Sequence, residues 1–438
     1  MSAGDLSRPA EWRAHWPIVL LAFVGFSFPS MVINTVGLVI QPVTAEFGWS
    51  RAQFTVGVTF ASALAVPLSP MTGAVLDRWG VRRIALPGAL LTGLAIAAIS
   101  LADGSVWRWI ALWALYGLAT QMVTSTIWTA AVSRTFTAGR SMALGVALCG
   151  TSFAAAVTPP LTRWLADDYG WRTAYQVLGA AWGVATFVMC LFFLFDGPKG
   201  GAREGGGGPA EPAEQPPGLS ISQAARSLPL IRIALATLIT LTLGSALLVH
   251  KVPILTEAGV SRGTAALLAS LSGIAAITGK IVTGWLMERF DAGWIGGLTN
   301  AVTAVALLFL LEPFRTPTMI VVSMLFVGYA GGTKLQICAY LSGIYAGMRN
   351  FGKIFGVMTS MIALAASLGP LLGGLAYDLS GDYVILIWVA IPASIVAGLL
   401  LIRLGPYPEW SRELAAKRSG SAPAMRVGPQ KSNVRSTP

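Results

Sequence analysis

Long runs of apolar residues constrain the fold of this chain more than any other feature. Twelve such runs can be placed between charged residues, near 17–41, 52–76, 84–102, 107–133, 141–163, 172–196, 230–256, 262–288, 293–312, 317–346, 354–377 and 383–403. A helix of roughly 20 apolar residues crosses a bilayer, and an isolated strand cannot satisfy its backbone in lipid. The sequence therefore predicts an all-α membrane protein with twelve transmembrane helices in the lipid bilayer.

The charge content supports this class and excludes others. Only 11% of the residues are charged, against 55% hydrophobic, whereas soluble domains carry about 25% charged residues. The net charge of +11 does not indicate a nucleic-acid partner, because the basic residues lie between the spans. By the positive-inside rule they predict cytoplasmic N- and C-termini in a multi-pass protein of the cell (inner) membrane, with Lys251 on the opposite side.

The chain divides into two halves. Residues 197–229 are rich in Gly, Pro and charge and predict a flexible cytoplasmic linker. It separates a six-helix bundle at 1–196 from a second at 230–404, and the polar residues 405–438 predict a disordered cytoplasmic tail. Internal similarity, in which Gly73 corresponds to Gly284 and Pro160 to Pro370, predicts two pseudo-symmetric bundles with the substrate between them near the membrane midplane.

A glycine- and arginine-rich segment follows the second span and reads GAVLDRWGVRR from Gly73 to Arg83. Taken alone it could be an ordinary basic loop. It resembles the G-x-x-x-D-R-x-G-x-R-R signature of the major facilitator superfamily, and part of it recurs at 284–289. The resemblance implies a conformational latch between helices, formed by Gly73, Asp77, Arg78, Arg82, Glu288 and Arg289.

Four further segments resemble one branch of that superfamily, the monocarboxylate-transporter-like branch that includes bacterial oxalate–formate antiporters. They are FGWSRAQF at 47–54, GWRTAYQVLGA at 170–180, HKVPILTEAGVS at 250–261 and GMRNFGKIFG at 347–356. The resemblance covers the chain except for the linker and the tails. It implies a carrier of organic anions.

Lys280 interrupts the apolar run of the eighth span. An ionisable residue at this depth is a functional-site candidate, although a lysine that snorkels to the interface or packs between helices fits as well. The resembling family has an arginine or a lysine here that holds the substrate carboxylate. Lysine lacks the bidentate fork of arginine, so selectivity between planar anions is expected to be looser.

Three other spans contribute candidate substrate-binding residues. Lys334 and Gln336 stand in the tenth span, where relatives carry acidic residues, and Lys334 could instead pair with an acid between helices. His250 in the seventh span could take up a proton or act as a neutral hydrogen-bonding histidine. Asn34 lies in the first span, where animal members of the branch have a lysine. Gln121, Thr124 and Ser125 in the fourth span could line the path, although helix–helix hydrogen bonds are the favoured interpretation.

These residues predict a secondary active transporter that moves a small organic anion by alternating access. The substrate would be a mono- or dicarboxylate, aromatic ones included, and the carrier would work by proton symport or anion exchange as a monomer. A proton-coupled exporter of hydrophobic drugs or metabolites is the alternative, but it usually needs an embedded acid. No cofactor, metal or catalytic residue is predicted, because no nucleophile–base pair or metal-ligand spacing occurs, and Cys149, Cys190 and Cys338 each lie inside apolar runs.

Overall fold

A computed structural model describes residues 8–136, 139–194, 218–347 and 349–408 of the chain. Its first half contains α1 (Arg8–Phe47), α2 (Arg51–Trp79), α3 (Val81–Ala98), α4 (Val106–Thr120), α5 (Ser125–Thr135), α6 (Arg140–Tyr169) and α7 (Trp171–Phe193). Its second half contains α8 (Ile221–Arg226), α9 (Leu228–Glu257), α10 (Arg262–Arg289), α11 (Ala292–Leu308), α12 (Pro317–Ala346), α13 (Phe351–Ser380) and α14 (Val384–Leu401).

Twelve membrane-spanning segments are present in the described ranges, as predicted. Ten of them meet the length and hydropathy expected of a span, with α4 and α5 together forming one. The other two are α2, which has 29 residues, and the shorter apolar helix α11, which has 17. Six spans belong to each half, so the chain is a helical membrane protein of two six-helix bundles.

Short turns join the spans and use local capping signals. Ser50 starts α2 through a capping box with Gln53, which satisfies amide groups that the helix itself cannot. Gly80 lies between α2 and α3 with φ of 82°, and Gly170 lies between α6 and α7 with φ of 87°. Both are in the region that disfavours other residues. These tight turns align consecutive spans in an antiparallel bundle.

The two halves meet along two equivalent helix pairs. The second span, α2, packs against the eleventh, α13, and the fifth span, α6, packs against the eighth, α10. A Cβ atom at Gly374 would lie 2.8 Å from Thr55 Oγ1, and a Cβ atom at Gly273 would lie 2.7 Å from the Ala155 carbonyl carbon. Glycine therefore permits close backbone approach across both contacts.

The fourth span is interrupted, which differs from the continuous run predicted over 107–133. Helix α4 ends at Thr120, a 3-10 turn covers Gln121–Val123, and Thr124 is extended before α5 begins. The indole N–H of Trp128 donates to the Val123 carbonyl at 2.9 Å, so a side chain satisfies a backbone group that the broken helix leaves open. Helix α5 therefore begins inside the membrane-spanning region.

The boundary regions depart partly from prediction. Residues 195–217 and 409–438 lie outside the described residues, which covers most of the predicted linker and tail. Within the predicted linker, however, α8 and the start of α9 are helical. The Leu219 amide donates to the Ala346 carbonyl at 2.9 Å, so this part of the chain is attached to the end of α12.

Candidate functional site

A cavity of about 410 Å³ lies between the halves, on the face of the first bundle that meets α13. Its volume is within the roughly 300–1,000 Å³ common for small-molecule sites. Its wall combines aromatic and polar side chains with small residues of α13. Among the lining residues are Phe26, Ser30, Ser62, Trp113, Tyr116, Thr120, Gln121, Thr124, Ser125, Thr151, Ala363 and Ala366.

Lys280 contacts the wall of this cavity through Thr151. From α10 its Nζ donates to Thr151 Oγ1 at 3.0 Å and to Ser152 Oγ at 3.1 Å, both on α6. Thr151 is part of the cavity wall. In the described part of the chain no carboxylate forms an ion pair with Lys280, so two neutral hydroxyls hold the amine and leave capacity for another acceptor.

Asn34 belongs to the same hydrogen-bond network. Its Nδ2 donates to the Ser30 carbonyl at 2.8 Å, and Ser30 Oγ donates to the Thr151 carbonyl at 2.7 Å. Asn34 is 5% exposed, and its Oδ1 has no partner among the described residues. The first, fifth and eighth spans are thus connected through Asn34, Ser30, Thr151 and Lys280.

Lys334 is not brought to this cavity. It is buried inside the second bundle, where its Nζ lies 3.4 Å from the Thr240 carbonyl on α9. A separate cavity of about 20 Å³ adjoins it. Gln336 lies on the α10 side of the same helix, with Nε2 2.8 Å from the position of a Cβ at Gly284. The predicted substrate contacts therefore divide between the cavity wall and the interior of the second bundle.

His250 is fully buried and hydrogen-bonded on both ring nitrogens. Nε2 lies 2.9 Å from the Pro370 carbonyl and Nδ1 lies 2.6 Å from the Tyr383 hydroxyl. Because a carbonyl only accepts, Nε2 carries a proton, and in a neutral ring Nδ1 then accepts from the Tyr383 hydroxyl. This geometry matches the neutral alternative for His250.

The predicted latch lies at the end of the bundle where α2 and α10 finish. The side chains of Asp77 and Glu288 lie outside the described part of the structure. Arg78 is exposed in the last turn of α2, Arg82 donates to the Leu191 carbonyl on α7 at 3.2 Å, and the Arg289 guanidinium lies 4.2 Å from the Trp285 ring centre. The gating role stays a prediction.

The opposite end, here called the Arg51 end, is where α2 and α10 begin and α6 and α13 finish. The Asp378 carboxylate of α13 accepts hydrogen bonds from the backbone amides of Arg51 at 2.9 Å and Ala52 at 2.8 Å. Arg51 also pairs with Glu257 at 2.9 Å, and its guanidinium lies 3.3 Å from the Tyr377 ring centre. We name this set the Asp378 contact.

A second contact joins the halves at the same end. Asp167 at the end of α6 pairs with Arg262, the first residue of α10, at 2.7 Å. Arg262 also donates to the Leu38 carbonyl of α1 at 3.1 Å. We name this the Asp167 contact. Both ion pairs that join the halves in the described ranges thus lie at the Arg51 end, which is closed.

A pattern in the sequence indicates these contacts, although the motifs considered above did not reveal it. Arg51 and Arg262 are 211 residues apart, as are Asp167 and Asp378, the same separation as Gly73 and Gly284. Asp167 therefore corresponds to Asp378 in the structural repeat, rather than the adjacent Asp168, which the 210-residue separation of Pro160 and Pro370 would align with it.

Two further placements correct the sequence analysis. Lys251, assigned to the membrane surface, is 7% exposed, and its Nζ donates to Ser272 Oγ on α10 at 3.1 Å. Gln121, Thr124 and Ser125 line the central cavity, which matches the path-lining alternative and not the favoured helix–helix hydrogen bonds. Gln121 Oε1 and Thr124 Oγ1 have no partner among the described residues. Both oxygens are buried, so the interruption of the fourth span leaves two polar atoms without partners behind the cavity wall.

Comparison with known proteins supports this architecture. Residues 16–252 and 233–432 match the sequence profile described as Major Facilitator Superfamily. Monocarboxylate transporter 13 of Bos taurus is 26% identical over 385 residues, covering 86% of this chain and 86% of that protein. Monocarboxylate transporter 11 of Mus musculus is 26% identical over 404 residues, covering 86% and 84%.

Among solved structures, the fold is similar to a bacterial homologue of the human lysosomal transporter Spinster. Its inward-facing, occupied form aligns with a TM-score of 0.64 at 15% identity, covering 95% of this chain and 97% of that one. The inward-facing, unoccupied form gives a TM-score of 0.62 at 15% identity, covering 96% and 100%. At this identity the similarity concerns the fold.

Proposed function

We propose a specific transport function from one established premise: the chain belongs to the Major Facilitator Superfamily, as a monocarboxylate-transporter-like secondary transporter and not an enzyme. The proposed substrate is a small organic anion, a mono- or dicarboxylate that can be aromatic. It would cross the cytoplasmic membrane by alternating access, through a monomer whose termini both lie in the cytoplasm.

The observation that carries this proposal is the environment of Lys280. Its Nζ has two hydroxyl partners and no described carboxylate partner, and Thr151, one of the two, lines a cavity between the halves. An unpaired cation is costly in a membrane interior. A substrate carboxylate would supply the negative charge that Lys280 lacks as a partner. It would also accept the third N–H hydrogen of the Lys280 ammonium group, which Thr151 and Ser152 leave unbonded. The two relatives described above are named monocarboxylate transporters, which supports the same class of substrate.

The rest of the cavity suits the remainder of such a substrate. Phe26, Trp113 and Tyr116 provide aromatic surface, against which an apolar or aromatic group can pack. Gln121, Thr124 and Ser125 add polar residues to the lining. An anion with an apolar body and a further polar group would use the whole wall.

Alternating access requires an end that closes and reopens, and a ligand that distinguishes the two states. The Asp378 and Asp167 contacts provide the closure at the Arg51 end. Lys280 reaches from the second bundle to hydroxyls of the first, so the substrate site spans the surface along which the halves move. A carboxylate at Lys280 would alter this inter-half contact directly.

The coupling is proposed to be proton symport or anion exchange. Lys280, Lys334, His250 and the buried Lys251 are ionisable groups in the described spans, and both ring nitrogens of His250 are hydrogen-bonded. Exchange needs no protonatable side chain. In symport, the substrate itself can carry the proton.

The test is uptake of labelled carboxylates, both aliphatic and aromatic, into proteoliposomes, with the pH gradient and internal substrate varied separately. Stimulation by the pH gradient indicates symport, and stimulation only by internal substrate indicates exchange. Lys280→Gln should abolish saturable uptake and Lys280→Arg should retain part of it, while Lys251→Gln is the matched control for loss of a buried lysine. Uptake by Lys280→Gln at the wild-type rate would refute the proposal, as would transport of hydrophobic cations in place of every carboxylate.

A further inference from the structure

The second bundle contains a buried cation that the proposed substrate site does not use. Lys334 is 9% exposed, and its one hydrogen bond in the described structure is the long contact of 3.4 Å to the Thr240 carbonyl. An ammonium group has three N–H donors. Its charge has no carboxylate partner among the described residues, so both charge and hydrogen-bonding capacity remain unmatched.

The space beside Lys334 limits what can match it. The adjoining cavity of about 20 Å³ is lined by residues of α9, α11, α12 and α14. A cavity needs at least about 10–15 Å³ to hold one water, so this one has room for a small ligand. It is much smaller than the cavity of about 410 Å³ between the halves, which favours a small anion over the larger carboxylate substrate.

The polar groups around the cavity favour an anion. Thr240 Oγ1 donates to Asn300 Oδ1 at 3.1 Å, which fixes the orientation of that amide. Asn300 Nδ2 then donates one hydrogen to the Gly296 carbonyl at 3.0 Å and keeps a second. The Asn300 amide therefore offers an N–H donor in addition to the ammonium of Lys334, and Thr237 contributes a hydroxyl to the lining.

A water in this cavity could accept a hydrogen bond from Lys334 but would leave its charge unpaired. A buried charge is tolerated when it is paired and hydrogen-bonded. We propose that the cavity is a binding site for one small monovalent anion, chloride in the cell, held by Lys334 Nζ and Asn300 Nδ2. The site is separate from the carboxylate site at Lys280 and stabilises the second bundle.

The experiment measures thermal unfolding of the full-length protein in detergent, followed by tryptophan fluorescence, in sodium chloride and in sodium gluconate at equal ionic strength. A bound anion stabilises the folded state in proportion to its occupancy. The unfolding midpoint should therefore rise with chloride and reach a plateau. Bromide should replace chloride, and gluconate should have no effect, because it cannot enter the cavity.

Two variants locate the effect. Lys334→Met removes the charge at similar length and should abolish the chloride-dependent shift. Asn300→Leu removes one donor and should raise the half-saturating chloride concentration about tenfold, as expected for loss of one charge-assisted hydrogen bond. Lys251→Met, which removes another buried lysine, should respond to chloride as the wild type does.

Absence of a chloride-specific shift in the wild type would overturn the proposal and indicate a neutral Lys334 with water. A shift that persists in Lys334→Met would also overturn it, because the anion would then bind elsewhere. Should Lys334→Met fail to fold, Asn300→Leu and bromide anomalous scattering from crystals decide the question. A bromide peak must lie beside Lys334 Nζ.

Discussion

Closure of the Arg51 end depends on a carboxylate placed at the start of a helix, and removing its charge should open that end. The variant is Asp378→Asn. In the closed state the carboxylate accepts two backbone hydrogen bonds, of 2.9 and 2.8 Å, from the first turn of α2. That turn carries the positive end of the helix dipole. Asparagine keeps a single carbonyl oxygen, so one of the two hydrogen bonds and the charge are lost.

The magnitude follows from these contacts. A hydrogen bond to a charged group contributes about 1.5–3 kcal/mol, but Asp378 is exposed to solvent, and screening reduces the contribution of exposed charges. We therefore expect the closed state to lose about 1–2 kcal/mol, a value around the lower end of that range or below it. This corresponds to a change of about 5- to 30-fold in the ratio of closed to open molecules.

Distances between spin labels on the two halves measure this ratio. Suitable positions are Trp107 and Leu379, whose side chains are 82% and 86% exposed, in a background with Cys149, Cys190 and Cys338 replaced. Asp378→Asn should increase the population with long distances.

The matched control is Asp168→Asn, because Asp168 is an exposed aspartate at the corresponding end of α6. It should leave the distances unchanged. If Asp378→Asn gave the same distance distribution as this control, the carboxylate would not hold the end closed and the reasoning would be refuted.

Three further predictions concern the same end. Gly374→Ala places a methyl group 2.8–2.9 Å from a hydroxyl and two backbone atoms of α2, so it should open the Arg51 end more than Asp378→Asn does. Gly356→Ala, on the same helix but in open space, should leave the end closed. Equal distance distributions for the two glycine variants would contradict this. Arg262→Gln should open the Arg51 end through the Asp167 contact alone. Its free-energy effect should therefore add to that of Asp378→Asn within about 0.5 kcal/mol in the double variant. If the double variant opened no further than either single variant, the two contacts would act as one. His250→Leu should lower the thermal unfolding midpoint, because it leaves the buried Tyr383 hydroxyl and Pro370 carbonyl unpaired at about 1–3 kcal/mol each. Tyr383→Phe should lower the midpoint less. An unchanged midpoint in His250→Leu would exclude a structural role for this histidine.

The architecture was predictable because lipid imposes it. Runs of apolar residues and the need for internal backbone pairing leave helices as the solution, and the repeat of Gly73 at Gly284 indicated two related halves. The interruption at 121–124 was not predictable, because the segment contains neither proline nor glycine. Trp128, four residues beyond, stabilises the break through its indole, and such a contact depends on tertiary position.

The candidate site was predictable in part. The depth of Lys280 in an apolar run identified it, and the structure sets it against the cavity wall through Thr151. Lys334 lies at a similar depth in its own span but faces Thr240 within one bundle. Depth can be read from sequence, whereas the direction of a side chain around the helix axis depends on which neighbours pack against it. Lys251 was misplaced for the converse reason, since it lies near a helix end but reaches inward to Ser272.

The lack of a described carboxylate partner for Lys280 has an electrical consequence. When a monocarboxylate is bound, its negative charge would neutralise Lys280, and the carrier would reorient without moving net charge at this site. The empty carrier would return with the positive charge of Lys280 uncompensated. Moving one elementary charge across 100 mV changes the free energy by about 2.3 kcal/mol. The membrane potential would then act chiefly on the return of the empty carrier, and exchange of one anion for another would be nearly insensitive to voltage.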